Sequence, residues 1–194
     1  MKIGVLALQG AVREHLSILE SVGVDPVPVK QPQDLDCLDG LVIPGGESTT
    51  ISKLMHRYGL MEPIRQRGLA GMPIFGTCAG LILLAKELEG TDQSHLGLLD
   101  ITVRRNAFGR QRESFEAHLQ VKGVADNYEA VFIRAPLIIK TGPAVKVLSA
   151  LDERIVIVQE GHLLGAAFHP ELTEDSRLHR HFVEMVKQAA SVNA

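Results

Sequence analysis

The chain has 194 residues, of which 45% are apolar and 22% charged, and its formal net charge at pH 7 is −3. These values are typical of a single globular domain over residues 1–194, and they disfavour disordered, collagen-like and coiled-coil proteins. The net negative charge and the lack of tryptophan in the sequence disfavour nucleic-acid and anionic-membrane binding. Two cysteines, Cys37 and Cys78, are too few for a secreted disulfide framework, so we expect a cytoplasmic protein.

Strand-like and helix-like segments alternate in the first half of the sequence. The first predicted helix presents Val12, Leu16, Leu19 and Val22 on one face. Apolar runs predict strands at residues 2–8, 24–29, 41–44 and 73–76, and helical periodicity predicts helices over 11–22, 49–58 and 81–88. Strands that alternate with helices in this way indicate a parallel sheet that is covered on both sides.

One uncharged stretch, residues 68–85, reaches the lower length limit for a membrane span. Glycines and Pro73 punctuate it, so we expect a short strand, a tight turn and a buried helix instead. The sequence therefore predicts no association with a membrane.

The second half of the sequence lacks the alternation of strands and helices. Residues 176–191 form an amphipathic helix with Leu178, Phe182, Met185 and Val186 on one side. Before it, strand-like runs follow one another at residues 98–103, 115–121, 130–133, 145–151, 154–159 and 163–168. Such runs predict antiparallel hairpins. Together the halves predict an α/β fold, a three-layer sandwich whose mixed, mainly parallel central sheet is flanked by helices.

Cys78 lies in the run Gly-Thr-Cys-Ala-Gly at residues 76–80, between a predicted strand and a predicted helix. This pattern is that of a nucleophile elbow, in which flanking glycines leave room for a strained turn. The start of a helix favours a thiolate there, and the amide of Ala79 points to where an oxyanion would form. The alternative is a buried cysteine that only fills space. Cys37 has no such turn and no nearby base, so we interpret it as a packing residue.

A nucleophilic thiol needs a base, and the base needs a group that orients it. His169 and Glu171 flank Pro170 directly after the predicted strand 163–168. Residues two apart on an extended chain point to the same side, so the carboxylate can hold the imidazole as in other triads. The alternative is a turn that ends the strand and contains an incidental histidine. The elbow favours the catalytic interpretation, because open α/β sheets place their ligands at the carboxyl ends of strands.

A third glycine-containing turn follows the predicted strand at residues 41–43. Residues 44–48 read Pro-Gly-Gly-Glu-Ser, and two glycines let backbone amides approach a substrate closely. This turn can therefore supply a second oxyanion donor. Its alternative interpretation is a plain β-turn that leads into a helix.

These three motifs, in this order, resemble those of the class I (triad) glutamine amidotransferases. Further runs narrow the resemblance to the glutaminase subunits of pyridoxal 5′-phosphate synthases: Leu-Ala-Leu-Gln-Gly at 6–10, Arg-Asn-Ala-Phe-Gly-Arg-Gln at 105–111 and Phe-Ile-Arg-Ala-Pro at 132–136. The resemblance implies hydrolysis of L-glutamine to L-glutamate and ammonia through a cysteinyl thioester. It also implies that no cofactor takes part and that the ammonia passes to the partner synthase subunit.

The resemblance also implies a role for particular residues. Cys78 is the expected nucleophile, His169 the base and then the acid, and Glu171 the orienting carboxylate. Backbone amides of Gly46 and Ala79 form the expected oxyanion hole. The expected glutamine-binding residues are Gly46, Glu47, Ser48, Arg105, Ile133 and Arg134.

Three other interpretations compete with this one. A glutaminase could serve another pathway, such as imidazole glycerol phosphate synthesis, although the runs at 6–10 and 105–111 speak against it. A non-enzymatic α/β module with an oxidant-sensing Cys78 is the second, and it leaves His169 and Glu171 without a role. A metal protein is the third, but His179 and His181 do not share a helical face and no metal-binding motif occurs, so we expect no metal.

Overall fold

The computed structural model describes residues 1–105 and 114–192 and assigns most of them to strands and helices. The strands are β1 (Lys2–Leu6), β2 (Asp25–Val29), β3 (Gly40–Ile43), β4 (Ile74–Thr77), β5 (Ala85–Leu88), β6 (Leu99–Arg104), β7 (Ser114–Val121), β8 (Ala125–Ile133), β9 (Leu137–Thr141), β10 (Lys146–Leu151), β11 (Arg154–Glu160) and β12 (Leu163–Ala166). The helices are α1 (Val12–Ser21), α2 (Ser48–Arg57), α3 (Met61–Leu69), α4 (Ala79–Leu84) and α5 (Arg177–Val192), with 3₁₀ turns at Pro32–Leu35 and Pro170–Leu172.

The central sheet is mixed, as predicted. Its order is β2-β1-β3-β4-β12-β11-β9-β6-β5, and β10 pairs with β11 outside this path. From β2 to β12 neighbouring strands are parallel, whereas β12, β11, β9 and β6 pair antiparallel. The strands β7 and β8 form a separate antiparallel hairpin. The run 106–111, which contributes to the family resemblance, lies outside the described residues.

Helices cover both faces of the parallel half of the sheet, which confirms the predicted sandwich. On one face, α5 places Phe182 and His179 against Phe75 of β4, and His179 also contacts His15 of α1. On the other face, α4 packs against β3, β4 and β12 and also contacts α2. These three strands are fully buried, as expected for a parallel sheet between two helical layers.

The structure corrects the predicted helix over 81–88. The helix α4 ends at Leu84, and Ala85–Leu88 form β5, which pairs with β6 at the edge of the sheet. The residues of β5 are good helix formers, but the open edge of β6 offers backbone partners that outweigh local propensity. The sequence also did not predict α3, which contains Pro63 and Gly68, or the strand β9.

The buried face of α1 also differs from the prediction. Its buried residues are His15, Ile18 and Leu19, whereas Val12 and Leu16 are only partly buried. Leu19 of the predicted face lies in the core, and Val12, Leu16 and Val22 pack against it, so the buried face is wider than predicted and includes a histidine. Among residues 1–105 and 114–192, no helix is both long and apolar enough to cross a membrane.

Candidate active site

Cys78 occupies a strained turn between β4 and α4. Its backbone φ is 48° and ψ is −100°, a conformation that non-glycine residues rarely adopt. Its N–H donates to the carbonyl of Ala166 on β12, at 2.8 Å, so the sheet holds the strained residue in place. A side chain on Gly80 would come within 2.0 Å of the Ile43 carbonyl, and one on Gly76 within 2.5 Å of the Gly80 carbonyl. Both glycines are therefore required by close backbone packing.

His169 and Glu171 lie beside this turn and contact each other. The Nδ1 atom of His169 is 2.7 Å from Oε1 of Glu171, and both side chains are largely buried. Their proximity was predicted from an extended chain, but Pro170–Leu172 form a 3₁₀ turn instead. Pro170 favours such a turn because its ring fixes φ near the helical value. The contact is therefore made across one short turn rather than along one face of a strand.

The imidazole of His169 lies between the carboxylate of Glu171 and the side chain of Cys78. Burial lowers the pKa of His169, but the hydrogen bonds and charges of Cys78 and Glu171 outweigh burial and raise it to about 10. His169 therefore carries a proton at neutral pH when Cys78 is a thiolate. Such an ion pair is the form in which a cysteine attacks an electrophilic carbon.

The 44–48 turn packs against the same two side chains. A Cβ atom on Gly45 would lie 2.4 Å from Cε1 of His169 and 3.4 Å from Cβ of Cys78. The Gly45 carbonyl accepts a hydrogen bond from the N–H of Ala11, at 3.1 Å, which ties this turn to the segment between β1 and α1. The three motifs of the sequence thus meet at one edge of the sheet, at the carboxyl ends of β3, β4 and β12.

A residue that sequence reasoning missed, Gln9, holds this turn in place. Its Oε1 atom accepts a hydrogen bond from the backbone N–H of Glu47, at 2.8 Å. A side chain on Gly46 would come within 2.5 Å of the same oxygen. The run at 6–10 contains Gln9, but the run alone could not predict a hydrogen bond to Glu47, which is 38 residues away in the sequence. Gly46 and Glu47 themselves are exposed, while Ser48 at the start of α2 is buried.

The remaining predicted binding residues are Ser48, Arg105, Ile133 and Arg134. Gln93 connects two of them, since its Oε1 atom accepts from Nη1 of Arg105 at 2.9 Å and from Oγ of Ser48 at 3.3 Å. Gln93 was not predicted, and its buried Nε2 atom has no partner among the described residues. The Ile133 carbonyl lies 3.9 Å from Sγ of Cys78. Arg134 follows it with an exposed side chain and a φ of 42°, again a strained backbone.

A second buried group lies behind Glu171. The Nε2 atom of His15 is 3.4 Å from Oε2 of Glu171 and 3.1 Å from Oγ1 of Thr77 in the elbow. The Nδ1 atom of His15 is 3.0 Å from Nε2 of His179 on α5. Neither His15 nor Thr77 was predicted to belong to the site, and His179 was considered only as a metal ligand. Among the described residues, no group of three or more His, Cys, Asp or Glu side chains could hold a metal ion.

Together these groups can carry out acyl transfer. The Cys78 side chain, the His169 imidazole and the Glu171 carboxylate lie together in a largely buried site, and these are the group types that acyl transfer through a thioester needs. The model of the SNO glutamine amidotransferase family matches residues 5–188.

The chain belongs to this family. Relatives named pyridoxal 5′-phosphate synthase subunit PdxT include those of Brevibacillus brevis and Geobacillus kaustophilus. The first is 63% identical over 98% of this chain and 100% of its own length, and the second is 61% identical over 97% and 96%. A solved structure of a glutamine amidotransferase superposes with a TM-score of 0.92 at 49% identity, over 95% of this chain and 98% of that chain.

The family fold extends to more distant proteins. The structure of PurLQS from Thermotoga maritima superposes with a TM-score of 0.67 at 17% identity, over 94% of this chain and 97% of that chain. At this identity the likeness supports the three-layer fold alone.

Proposed function

We propose that this chain is a glutaminase that hydrolyses L-glutamine to L-glutamate and ammonia and delivers the ammonia to a pyridoxal 5′-phosphate synthase subunit. The observation that carries the proposal is the strained Cys78 beside a His169 imidazole, which contacts Glu171 at 2.7 Å. The relatives of similar length named as subunits of pyridoxal 5′-phosphate synthase support the choice of pathway. Such a protein works in the cytoplasm and uses no cofactor of its own.

In the first half of the reaction, the Cys78 thiolate attacks the side-chain amide carbon of glutamine. The C–S bond forms, and the amide oxygen becomes an oxyanion. As this intermediate collapses, the His169 imidazolium gives its proton to the amide nitrogen, the C–N bond breaks and ammonia leaves. The products of this step are a thioester on Cys78 and a neutral His169 imidazole.

In the second half, water hydrolyses the thioester. The neutral His169 takes a proton from the water, and the resulting hydroxide oxygen bonds to the acyl carbon. The second oxyanion collapses, the C–S bond breaks and Cys78 is left as a thiolate. The product leaves as a carboxylic acid, which gives its proton to solvent to become glutamate. His169 is again an imidazolium, so the thiolate and imidazolium pair is restored for the next turnover.

Backbone amides stabilise the two oxyanions in this proposal. The N–H of Ala79 follows the nucleophile directly, and the N–H of Gly46 belongs to the turn that packs against Cys78 and His169. Hydrogen-bond donors that point at a developing negative charge stabilise it more in a buried site than they would in water. Gln9 supports this arrangement because it binds the adjacent N–H of Glu47.

The substrate is a zwitterion at its far end, so it needs donors for a carboxylate and acceptors for an ammonium group. Arg105 supplies a cation, and Gln93 holds it next to Ser48 at the start of α2. The Ile133 carbonyl lies near Cys78 and can accept from the ammonium group. Glu47 and Arg134 complete the exposed rim of the proposed binding site.

Ammonia release from glutamine, measured with and without a pyridoxal 5′-phosphate synthase subunit, tests this function. We expect release by the complex, its loss in the Cys78→Ala variant and an unchanged rate in Cys37→Ala. Cys37 lies outside the three motifs, and because it is exposed it is not the packing residue that its sequence context suggested. Release by Cys78→Ala at the wild-type rate would overturn the proposal. A glutamine analogue such as diazo-oxo-norleucine should label Cys78, whereas an oxidant sensor without glutaminase activity would not be labelled.

The choice of pathway has its own test. Affinity capture with the tagged chain should recover a pyridoxal 5′-phosphate synthase subunit from cells that contain it. Recovery of an imidazole glycerol phosphate cyclase instead would keep the glutaminase chemistry and replace the partner.

A further inference from the structure

Glu171 is a buried carboxylate in which Oε1 contacts His169, whereas Oε2 has no close hydrogen-bond donor among the described residues. Its side chain is fully buried, and Oε1 contacts His169 at 2.7 Å. Among the described residues, Oε2 has no hydrogen-bond partner within normal distance, but Nε2 of His15 lies only 3.4 Å away. A buried carboxylate that is not hydrogen-bonded carries a large desolvation cost. His15 is therefore placed where Glu171 needs a donor.

His15 in turn is held between two other buried groups. Its Nε2 atom is also 3.1 Å from the Thr77 hydroxyl, next to the nucleophile, and its Nδ1 atom is 3.0 Å from Nε2 of His179. His15, Thr77 and His179 are all fully buried. The Nδ1 atom of His179 has no partner among residues 1–105 and 114–192. This chain of contacts joins α1 and α5 to the elbow and to the 3₁₀ turn.

The partners determine which nitrogen of each ring carries the proton. The carboxylate only accepts hydrogen bonds, so Nε2 of His15 must be protonated if it is to serve Glu171. The Thr77 hydroxyl, which is the closer partner of Nε2 at 3.1 Å, can accept from the same N–H. Nδ1 of a neutral His15 is then an acceptor, and Nε2 of His179 donates to it. Nδ1 of His179 is left as a bare acceptor, which agrees with its lack of a partner among the described residues and costs less than a buried N–H without one.

We propose that His15 and His179 are positioning residues, a neutral pair that holds the Glu171 carboxylate in the orientation in which it aligns His169. The proposal rests on the proposed glutaminase function, because it assigns the pair a role in that reaction. His15 acts on the free oxygen of Glu171, and His179 acts on the tautomer and ring orientation of His15. Residues that orient metal ligands from behind change activity by about 10- to 100-fold when they are removed, and we expect the same order of magnitude for residues that orient Glu171.

The pair must stay uncharged to fulfil this role. Burial, and secondarily electrostatic interaction with His179 and His169, lowers the pKa of His15 well below its ordinary value. Burial lowers the pKa of His179 to about 3. The titratable groups that face His15 are His179, His169 and Glu171, and only His169 of the three histidines carries a proton at neutral pH. The Glu171 carboxylate therefore stabilises the His169 imidazolium, which catalysis needs, and not a charged form of His15.

The decisive variants replace His15 by the two side-chain amides. In His15→Gln the amide nitrogen reaches roughly the place of Nε2, whereas in His15→Asn it reaches only that of Nδ1. In the complex with the synthase subunit, we expect His15→Gln to retain kcat within about 3-fold and His15→Asn to lose about 10- to 100-fold, with KM for glutamine unchanged in both. Both variants are polar and similar in size, so loss of packing alone would affect them alike. Equal losses in the two variants, or a loss expressed in KM, would overturn the proposal.

The pH dependence of kcat gives a second measurement. It would stay unchanged if His15 only stabilised the fold. Glu171 helps to raise the pKa of His169 to about 10, so a misplaced carboxylate lets the imidazolium lose its proton earlier. We expect the alkaline limb of kcat to move to lower pH by roughly one unit in His15→Asn and to stay in place in His15→Gln. An unmoved limb in a slow but folded His15→Asn variant would count against the proposal.

A measurement on the unaltered protein avoids the question of whether variants fold. Nitrogen-15 NMR of the labelled wild-type chain, assigned with His15→Gln and His179→Gln, should show both rings as neutral Nε2–H tautomers at neutral pH. An Nδ1–H tautomer on His15 would aim a lone pair at Glu171 and overturn the proposal whatever the kinetics. If wild type released no ammonia with its partner, the glutaminase function would fail, while the tautomer result would still stand or fall by itself.

Discussion

The two sides of the candidate site differ in how far folding alone organises them. Behind Cys78 and His169, the side chains of Thr77, Glu171 and His15 are buried and contact one another through α1, β4 and the 3₁₀ turn. In front of them, Gly46, Glu47 and Arg134 are exposed at the rim. The difference indicates that the chemical groups are aligned before substrate arrives, whereas the rim groups gain most of their contacts from substrate. Changes on the buried side should therefore alter kcat and its pH dependence, and changes at the rim should alter KM.

The largest expected effect belongs to Glu171→Gln on the buried side. The amide keeps the size of the side chain but removes the charge that supports the His169 imidazolium, so kcat should fall by about 10²- to 10⁴-fold. Because Glu171 helps to raise the pKa of His169 to about 10, its loss should move the alkaline limb of the profile to lower pH. Steady-state kinetics of the complex across neutral and alkaline pH would measure both.

An equal fall at all pH values, with the alkaline limb unmoved, would contradict the role given to Glu171. Glu160→Gln is a suitable control, because Glu160 is a carboxylate of the sheet that binds the backbone N–H of Asp100. It should leave kcat unchanged.

Gly80→Ala tests the packing of the buried side by its effect on stability. The added Cβ atom would come within 2.0 Å of the Ile43 carbonyl, and the backbone of β3 cannot move away easily. We expect a loss of about 3 kcal/mol in the free energy of unfolding, measured by urea denaturation.

Gly90→Ala provides the matched control for Gly80→Ala. Its Cβ atom would meet nothing within 4 Å, and φ at Gly90 is 73°. Its cost should be about 1 kcal/mol, because only the left-handed backbone penalises the alanine. Gly80 lies in α4 without a positive φ, so equal losses in both variants would show that its close packing costs no more than a left-handed backbone does.

At the rim, Arg105→Ala should raise KM for glutamine by about 10- to 100-fold with a smaller change in kcat, because a charge-assisted contact to the substrate carboxylate is lost. Initial-rate kinetics would measure the change. Arg104→Ala is the matched control, since this neighbouring arginine is exposed and pairs with Glu89 instead. A similar rise in KM for Arg104→Ala would point to general electrostatic attraction rather than to a specific contact.

The smallest expected effect is that of Gln93→Leu, which removes the acceptor shared by Arg105, Ser48 and Thr49. KM should rise about 3- to 10-fold, because the hydrogen bond that orients Arg105 is lost while its charge remains. Asp92→Asn changes the neighbouring residue and should have no effect. A fall in kcat at constant KM would show instead that Gln93 acts on the chemical step rather than on substrate binding.

The groups that could be recognised in the sequence are those whose requirements are local. The run at 76–80 predicted a strained elbow because its glycines are needed by the turn itself, and backbone packing at Gly76 and Gly80 agrees with that reason. The proximity of His169 and Glu171 was also predicted, although a 3₁₀ turn rather than an extended chain produces it. The positions of β1 to β4 and of α1 and α2 followed from periodicity, since these elements bury continuous apolar runs, whereas α3 and the end of α4 did not.

The groups that escaped prediction depend on contacts between distant segments. His15 and His179 are 164 residues apart and meet only because α1 and α5 pack on the same face of the sheet. Gln9 and Glu47 meet because β1 and β3 are neighbours in the sheet, and Ala85–Leu88 form a strand because β6 offers an open edge. Local sequence specifies turns and apolar faces, because their energies depend on neighbouring residues. Packing in three dimensions specifies which buried polar groups share partners, because a donor can be satisfied from any part of the chain.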